Sequence, residues 1–418
     1  MSTTNGHLDL FIRPADLLLF RDGRPFTPGD DHRAEGLFPP APVAFYGALR
    51  TAALAHYDVR FRSRRLEVPP GTSLELDAQW GVDRNSGRPT NNLGTATIAS
   101  FTLAHHGPDG LEPLFPMPAD VLQLKEGSKA PLADEWVRST PAAFPGPVHP
   151  RSNFPPVHLR FLWQQSDERA WYEHKSDYIK LSDFATYLAT GQPPDRFKHP
   201  SATEQLEKEE AELLRKPFVT EPRTSVQIKD ESQAAEDGML YTVAFARANQ
   251  GVGFALRLAY GSTFGTGERW LRLGGEARAA HCKEDSIPTV DPQPILDRIL
   301  DSESGRFTLV LTTPALFERG WLPDGIGPDG AGTLGSCAVR LVGTALGRFE
   351  TLGGWDLVRN RPRPARRAVP AGSVYFFEIT SGNVRDLFEG PHAIFGRSVV
   401  NNPTDRKLGL GLAYLGTW

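Results

Sequence analysis

The chain has 418 residues, 39% hydrophobic and 23% charged: a globular composition with apolar material for two cores and a length that suggests two or three domains, which excludes a disordered or low-complexity protein. Its two cysteines, Cys282 and Cys337, form neither a CxxC nor a Cys/His spacing. That excludes a disulfide scaffold and a structural zinc site and suits a reducing cytoplasm.

The net charge of −4 argues against a free-standing nucleic-acid binder, yet the charge is unevenly placed. Residues 203–212 carry Glu204, Glu207, Glu209, Glu210 and Glu212 against Lys208 alone. Residues 359–367 carry Arg359, Arg361, Arg363, Arg366 and Arg367 with no acid, and 60–65 carry Arg60, Arg62, Arg64 and Arg65. Such runs are either solvated loops or basic faces. Residues 1–7 are polar and lack the basic and apolar regions of a signal peptide. No stretch of about 18 apolar residues is present, so no membrane span is expected.

In chain order, 8–13 (LDLFIR) predicts a strand that stops at Pro14. A Gly-, Pro- and Asp-rich loop runs from Leu19 to Pro42. Pro42 opens a helix over 43–57, with Phe45, Leu49, Ala52 and Ala53 at helical spacing. Gly47 in mid-helix predicts a closely packed backbone. Strands are predicted at 73–80 and 95–105 around a turn-rich insertion, with an irregular Pro-rich stretch at 108–160. A helix is predicted at 181–190. Another runs over 202–215, with Ser201 and Glu204 as a capping box and Pro217 as the stop. This acidic element, 201–216, reads as a peripheral insertion.

Strands follow at 218–229, 238–248 and 252–260, the last two forming a hairpin around Gly251. A second set lies at 306–313, 337–346, 373–380 and 408–415, with short helices at 294–300, 314–320 and 383–389. Many strands with few short helices predict an α+β fold rather than a doubly wound sheet.

Catalytic signatures are missing. There is no GxxxxGK[ST], no HExxH, no paired-Cys site and no GxSxG. Asp30-Asp31-His32 has no further ligand in register, so no metal or other cofactor is expected. His105-His106 falls at a strand end without an identifiable partner; a metal-independent ribonuclease could use such a histidine as a general base.

Two segments carry binding chemistry. In 269–278, Arg269, Trp270, Arg272 and Arg278 surround Gly274-Gly275, the residue types that contact phosphate and stack bases. In the N-terminal loop, Arg21 and Arg24 bracket an Asp-Gly turn before the proline-stiffened helix start, and Arg50 lies two turns further on. A helix N-terminus offers unpaired N–H groups to an anion.

The run FRDGRPF at 20–26 followed by LFPPAPVAFYGALRTA at 37–52 resembles the third subunit of the type III-B CRISPR (Cmr) effector complex, in the RAMP superfamily. LRLGGEAR at 271–278, GGWDL at 353–357 and VPAGSVYFFE at 369–378 match in the same order, and the tail LGLGLAYLG resembles the RAMP glycine-rich loop. The resemblance implies two ferredoxin-like (RRM-like) domains, here 1–285 and 286–418. It implies binding to the 5′ repeat-derived handle of the CRISPR RNA and contact with the large polymerase-like subunit and the backbone RAMP subunit, in a complex that holds target RNA. It further implies a non-catalytic role.

The matched motifs place Arg21, Arg24 and Arg50, and Arg272, Gly274, Gly275 and Arg278, at the RNA. His32, Arg33, Arg223 and Lys229 join them by chemistry and proximity alone. The rival expectation is a metal-independent endoribonuclease that processes CRISPR RNA through His105, His106 or His32.

Overall fold

A computed structural model describes residues 6–20, 33–34, 36–62, 65–83, 93–124, 136–141, 159, 162–163, 172–173, 177–193, 212–228, 235–260, 262–264, 267–302, 305–356 and 361–418. Two antiparallel sheets, drawn from separate parts of the chain, dominate the fold.

The first sheet uses β1 (His7–Pro14), β2 (Thr97–Gly107), β3 (Gly110–Pro116), β4 (Tyr178–Lys180), β5 (Val252–Ala259), β6 (Arg269–Leu273) and β7 (Arg278–Glu284). Their order is β4-β3-β2-β5-β1-β7-β6. The second uses β8 (Arg306–Leu311), β9 (Ala331–Leu334), β10 (Cys337–Ala345), β11 (Val374–Ser381), β12 (Arg397–Ser398) and β13 (Leu412–Gly416), in the order β9-β10-β11-β8-β13-β12. The helices are α1 (Val43–His56), α2 (Leu74–Trp80), α3 (Leu181–Thr190), α4 (Gln293–Asp301), α5 (Arg385–Phe388) and α6 (Pro403–Lys407).

Period-two alternation gives β1 two faces. Leu10 and Ile12 enter one core with Phe254, Leu256 and Leu258 of β5, and α1 covers that face with Phe45, Tyr46, Leu49 and Ala53. Phe11 lies on the opposite face with Ala104, Ala255 and Ile287. The register Leu10↔Leu256 and Ile12↔Cys282 aligns apolar partners on both sides of β1.

The second core draws on both parts of the chain. Phe184, Tyr187 and Leu188 of α3 join Ile295, Leu296 and Ile299 of α4 over Phe307, Leu309, Tyr375 and Leu415. A buried ionic network ties the same regions. The Arg138 guanidinium donates to Asp120 at 2.6 Å and to the carbonyls of Gly191 at 3.0 Å and Thr417 at 2.8 Å. Tyr187 donates to Asp120 at 2.7 Å. Burial works against the Arg138 charge, but Tyr187 and Asp120 outweigh it and hold its pKa up. Both cysteines are free and buried.

Several expectations need correction. Residues 74–80 are helical, not extended: Ser73 accepts from the Glu75 amide and Gly81 closes the helix at φ +63°. Residues 314–320 are not helical; Ala315 bridges Val369, and Phe317 bridges Gly320 in a tight turn. The hairpin expected from 238–248 and 252–260 does not form. Ala235–Ala248 instead pairs with Phe218–Ile228, and β5 crosses into the first sheet between β1 and β2. The 108–160 stretch, read as irregular, contains β3 and the strand Val121–Leu124. Gly47 is exposed, and a Cβ there would meet nothing within 4 Å, so among the described residues no backbone packs on it. Of the acidic element, 201–211 lies outside the described residues; 212–215 is helical and Leu214 joins the first core. Among the described residues no helix is long and apolar enough to cross a membrane.

Candidate nucleic-acid interface

The two motifs singled out in the sequence meet in space. The Gly275 amide donates to the Leu19 carbonyl at 2.7 Å. Gly274 has φ +72°, and a Cβ there would sit 2.5 Å from the same oxygen. At Gly275 a Cβ would sit 3.2 Å from the Leu19 side chain. These glycines therefore serve close backbone approach against the residues just before Arg21.

The ends of the N-terminal loop are fixed on one strand. Leu18 bridges Ala246, and Arg33–Ala34 pairs in parallel with Thr242–Val243. Leu37 donates its amide to the Phe20 carbonyl at 2.7 Å, closing the loop at its base. A Cβ at Gly36 would sit 2.8 Å from the Ala244 carbonyl oxygen, so this exit also demands glycine.

Phe245 is the hub beside the start of the loop. It is buried with Leu17, Leu19 and Val243. The Arg278 guanidinium lies over its ring at 5.0 Å and that of Arg223 at 5.9 Å. Such cation–π contacts orient a guanidinium without consuming its hydrogen-bond donors. Arg223 also donates to Glu221 at 2.9 Å, and Arg247 bridges Glu221 at 2.7 Å and Asp16 at 3.2 Å. Hydrogen bonds from Arg247 and then Arg223 hold the Glu221 pKa below its ordinary value. Arg278 is ion-paired with Glu276. Among the described side chains, three arginines thus face three carboxylates, and these arginines are held as oriented donors.

Other expected residues lie elsewhere. Arg50 is half-buried and donates to the Gly81 carbonyl at 3.2 Å, at the C-terminus of α2. Burial pulls its pKa down. Arg272 is exposed on β6, on the face opposite Arg278, because Arg278 pairs with the buried Leu273 across the ladder. Trp270 shares the Arg272 face, 65% exposed, with His281 5.2 Å from its ring. Arg33 is placed by its backbone only, and Arg21, Arg24, His32 and Lys229 lie outside the described residues. Sequence reasoning missed Phe245 and Arg247, whose role arises from hairpin pairing and leaves no local signal.

The α1 N-terminus is covered by the glycine-rich tail. Gly409, at φ +77°, sits where a Cβ would be 3.3 Å from Pro42 and 2.7 Å from Ile98. His106 lies 3.2 Å from Asp285 and 3.1 Å from Lys283. Among the described residues no group of three His, Cys, Asp or Glu side chains is placed to hold a metal ion.

No curated protein matches the chain. Among solved structures, it is similar to a chain of the type III-B Cmr-beta complex bound to cognate target RNA, at 13% identity over 88% of this chain and 86% of that one, with TM-score 0.43. A chain of the same complex bound to target RNA and AMPPnP gives 14% identity over 88% and 86%, with TM-score 0.42. A chain of the Csm3-Csm4 subcomplex of the type III-A interference complex gives 11% identity over 89% and 93%, with TM-score 0.37. These overlaps are loose, and identity comes from the sequence family: the match to CRISPR-associated protein (Cas_Cmr3) spans residues 10–418, and the chain belongs to that family.

Proposed function

We propose that the chain is a non-catalytic, RNA-holding subunit of a type III-B CRISPR effector complex. It grips the 5′ handle of the CRISPR RNA and joins the large polymerase-like subunit to the backbone RAMP subunit, within a cytoplasmic complex that holds target RNA. One observation carries this reading. Leu19, at the start of the arginine loop, meets the Gly274-Gly275 turn next to Phe245, whose ring carries Arg223 and Arg278. Guanidiniums oriented by a buried ring are suited to the phosphates of a single strand.

The strand orders support two ferredoxin-like units, 1–285 and 286–418. In both sheets the first strand is central, flanked by the third and fourth, with the second outside the third: β2-β5-β1-β7 and β10-β11-β8-β13. In the first, α1 lies between the opening strand and the second, as a split βαβ unit requires. In the second, α5 lies between the third strand and the last. The α3–α4 pair covers the face that a further helix would take.

The rival reading, a metal-independent endoribonuclease, would draw on His106 with Asp285 and Lys283. Incubation of the purified chain with repeat RNA in EDTA separates the two. Site-specific cleavage lost in His106→Ala would establish the enzyme; intact RNA with retained binding supports the holder. Handle-RNA binding weakened by Arg223→Ala with Arg278→Ala, and more so at raised salt, is the expected positive result.

A further inference from the structure

Around Phe245 the described arginines are balanced by carboxylates; a set of arginines without such partners lies elsewhere. It lies on a hairpin in the second half of the chain. Strand Glu350–Leu352 pairs with Arg366–Ala368, and Trp355–Asp356 pairs with Arg361–Pro362. The Arg363 amide donates to the Gly354 carbonyl at 2.9 Å and joins the two ladders.

This hairpin has an anchored face and an open one. Leu352 and Ala368 are buried with Leu316 and Leu410. Arg366 forms a bidentate pair with the buried Asp405, at 2.9 and 2.7 Å. On the other side Arg348, Arg361, Arg363 and Arg367 are all exposed. Arg367 stacks over Phe349 at 4.8 Å, and that ring is 48% exposed. Among the described residues no carboxylate pairs with any of these four arginines. Glu350 faces inward with its pKa raised to about 7 by burial, and Asp356 stands opposite Arg361 in the ladder.

The hairpin is also continuous with the N-terminal motif. Its buried root touches Leu37, Ala41 and Val43, the segment that leads from the arginine loop into α1. A strand of RNA leaving the Arg223–Arg278 site can therefore continue along the hairpin.

We propose that the paired segments 348–356 and 361–367 are an RNA-gripping arm: Arg348, Arg361, Arg363 and Arg367 take successive phosphates, and Phe349 with its Arg367 partner stacks one base. Guanidiniums supply the phosphate contacts and an exposed ring the sequence-tolerant stacking that single strands use. The inference rests on the reading of the chain as an RNA-holding subunit.

The test uses the full chain and a labelled single-stranded handle RNA, titrated between low and physiological salt. The triple variant Arg361→Ala, Arg363→Ala, Arg367→Ala leaves the Arg366–Asp405 anchor intact. It should bind about tenfold or more weakly, with a log–log salt slope shallower by about two units, as three lost phosphate contacts require. The matching Arg→Lys triple should keep the slope, whereas Phe349→Ala should lower affinity at unchanged slope. An alanine triple that binds with wild-type affinity and slope, while the wild type binds well, would overturn the arm alone. A wild-type chain that binds no RNA at low salt would overturn the underlying reading. Loss of capture of the other complex subunits without RNA, at unchanged RNA affinity, would assign the hairpin to a protein partner and sink the proposal.

Discussion

The Gly275 amide donates a 2.7 Å hydrogen bond to the Leu19 carbonyl, and this contact joins two segments some 255 residues apart. It sets the base of the arginine loop against the turn that leads to Arg278. The two glycines there differ in tolerance. Gly274→Ala combines positive φ with a Cβ 2.5 Å from a backbone oxygen. It should cost about 2–3 kcal/mol and weaken handle-RNA binding together. Gly275→Ala presses on the movable Leu19 side chain, meets the Leu19 carbonyl oxygen only at an ordinary 3.5 Å, and should cost about 1 kcal/mol or less. Thermal melts of both variants read this order.

Arg50 and Arg278 should separate structure from binding. Arg50 donates to the Gly81 carbonyl where α2 ends, so Arg50→Ala should lower stability by about 1–2 kcal/mol and leave the salt slope of RNA binding unchanged. Arg278→Ala should do the reverse, with a modest stability change and weaker RNA binding. Melting curves and RNA titrations on the same preparations give the comparison.

Asp120 is fully buried and neutralises Arg138 while accepting from Tyr187. Asp120→Ala leaves the guanidinium in the core without its carboxylate and should destabilise the fold by about 3–5 kcal/mol. Denaturant unfolding checks this. The second half of the chain should be affected first, because Arg138 also holds the Thr417 carbonyl.

Glu350 should make stability depend on pH. Burial raises its pKa to about 7, above the roughly 4.3 of a glutamate in an unfolded chain. Between those values the folded state retains a proton that the unfolded chain has lost, so stability falls as pH rises through that window. Glu350→Gln should remove this slope and raise the melting temperature at pH 8 relative to wild type. Melts from pH 5 to pH 8 decide it.

Much of the strand framework was legible because burial and alternation agree locally. β1 is such a case: Leu10 and Ile12 face one core and Phe11 the other. α2 was misread because its seven residues are too short to display helical spacing, although the Ser73 cap and Gly81 stop stand in the sequence. The 238–260 hairpin failed for a tertiary reason. Asn249 is tied to the Lys216 and Pro217 carbonyls, and this turn releases β5 into the first sheet, where its almost continuously buried residues need neighbours on both sides. Of the site, the arginine- and glycine-bearing segments were visible in the sequence. Their convergence on Phe245 was not, because it depends on cross-strand pairing of 218–228 with 235–248. The basic run at 359–367 was visible as charge, but its distinction between the anchored Arg366 and the open Arg361, Arg363 and Arg367 needed the fold.

RNA is expected to run over the surface where Leu19, at the start of the N-terminal loop, meets the Gly274-Gly275 turn beside Phe245. Photo-crosslinking of a handle RNA to the full chain, followed by peptide mapping, tests it most directly. The account predicts crosslinks in peptides containing Phe20, Phe245 or Arg278, lost at high salt. Crosslinks confined to other surfaces, or specific binding without any crosslink in these peptides, would contradict it.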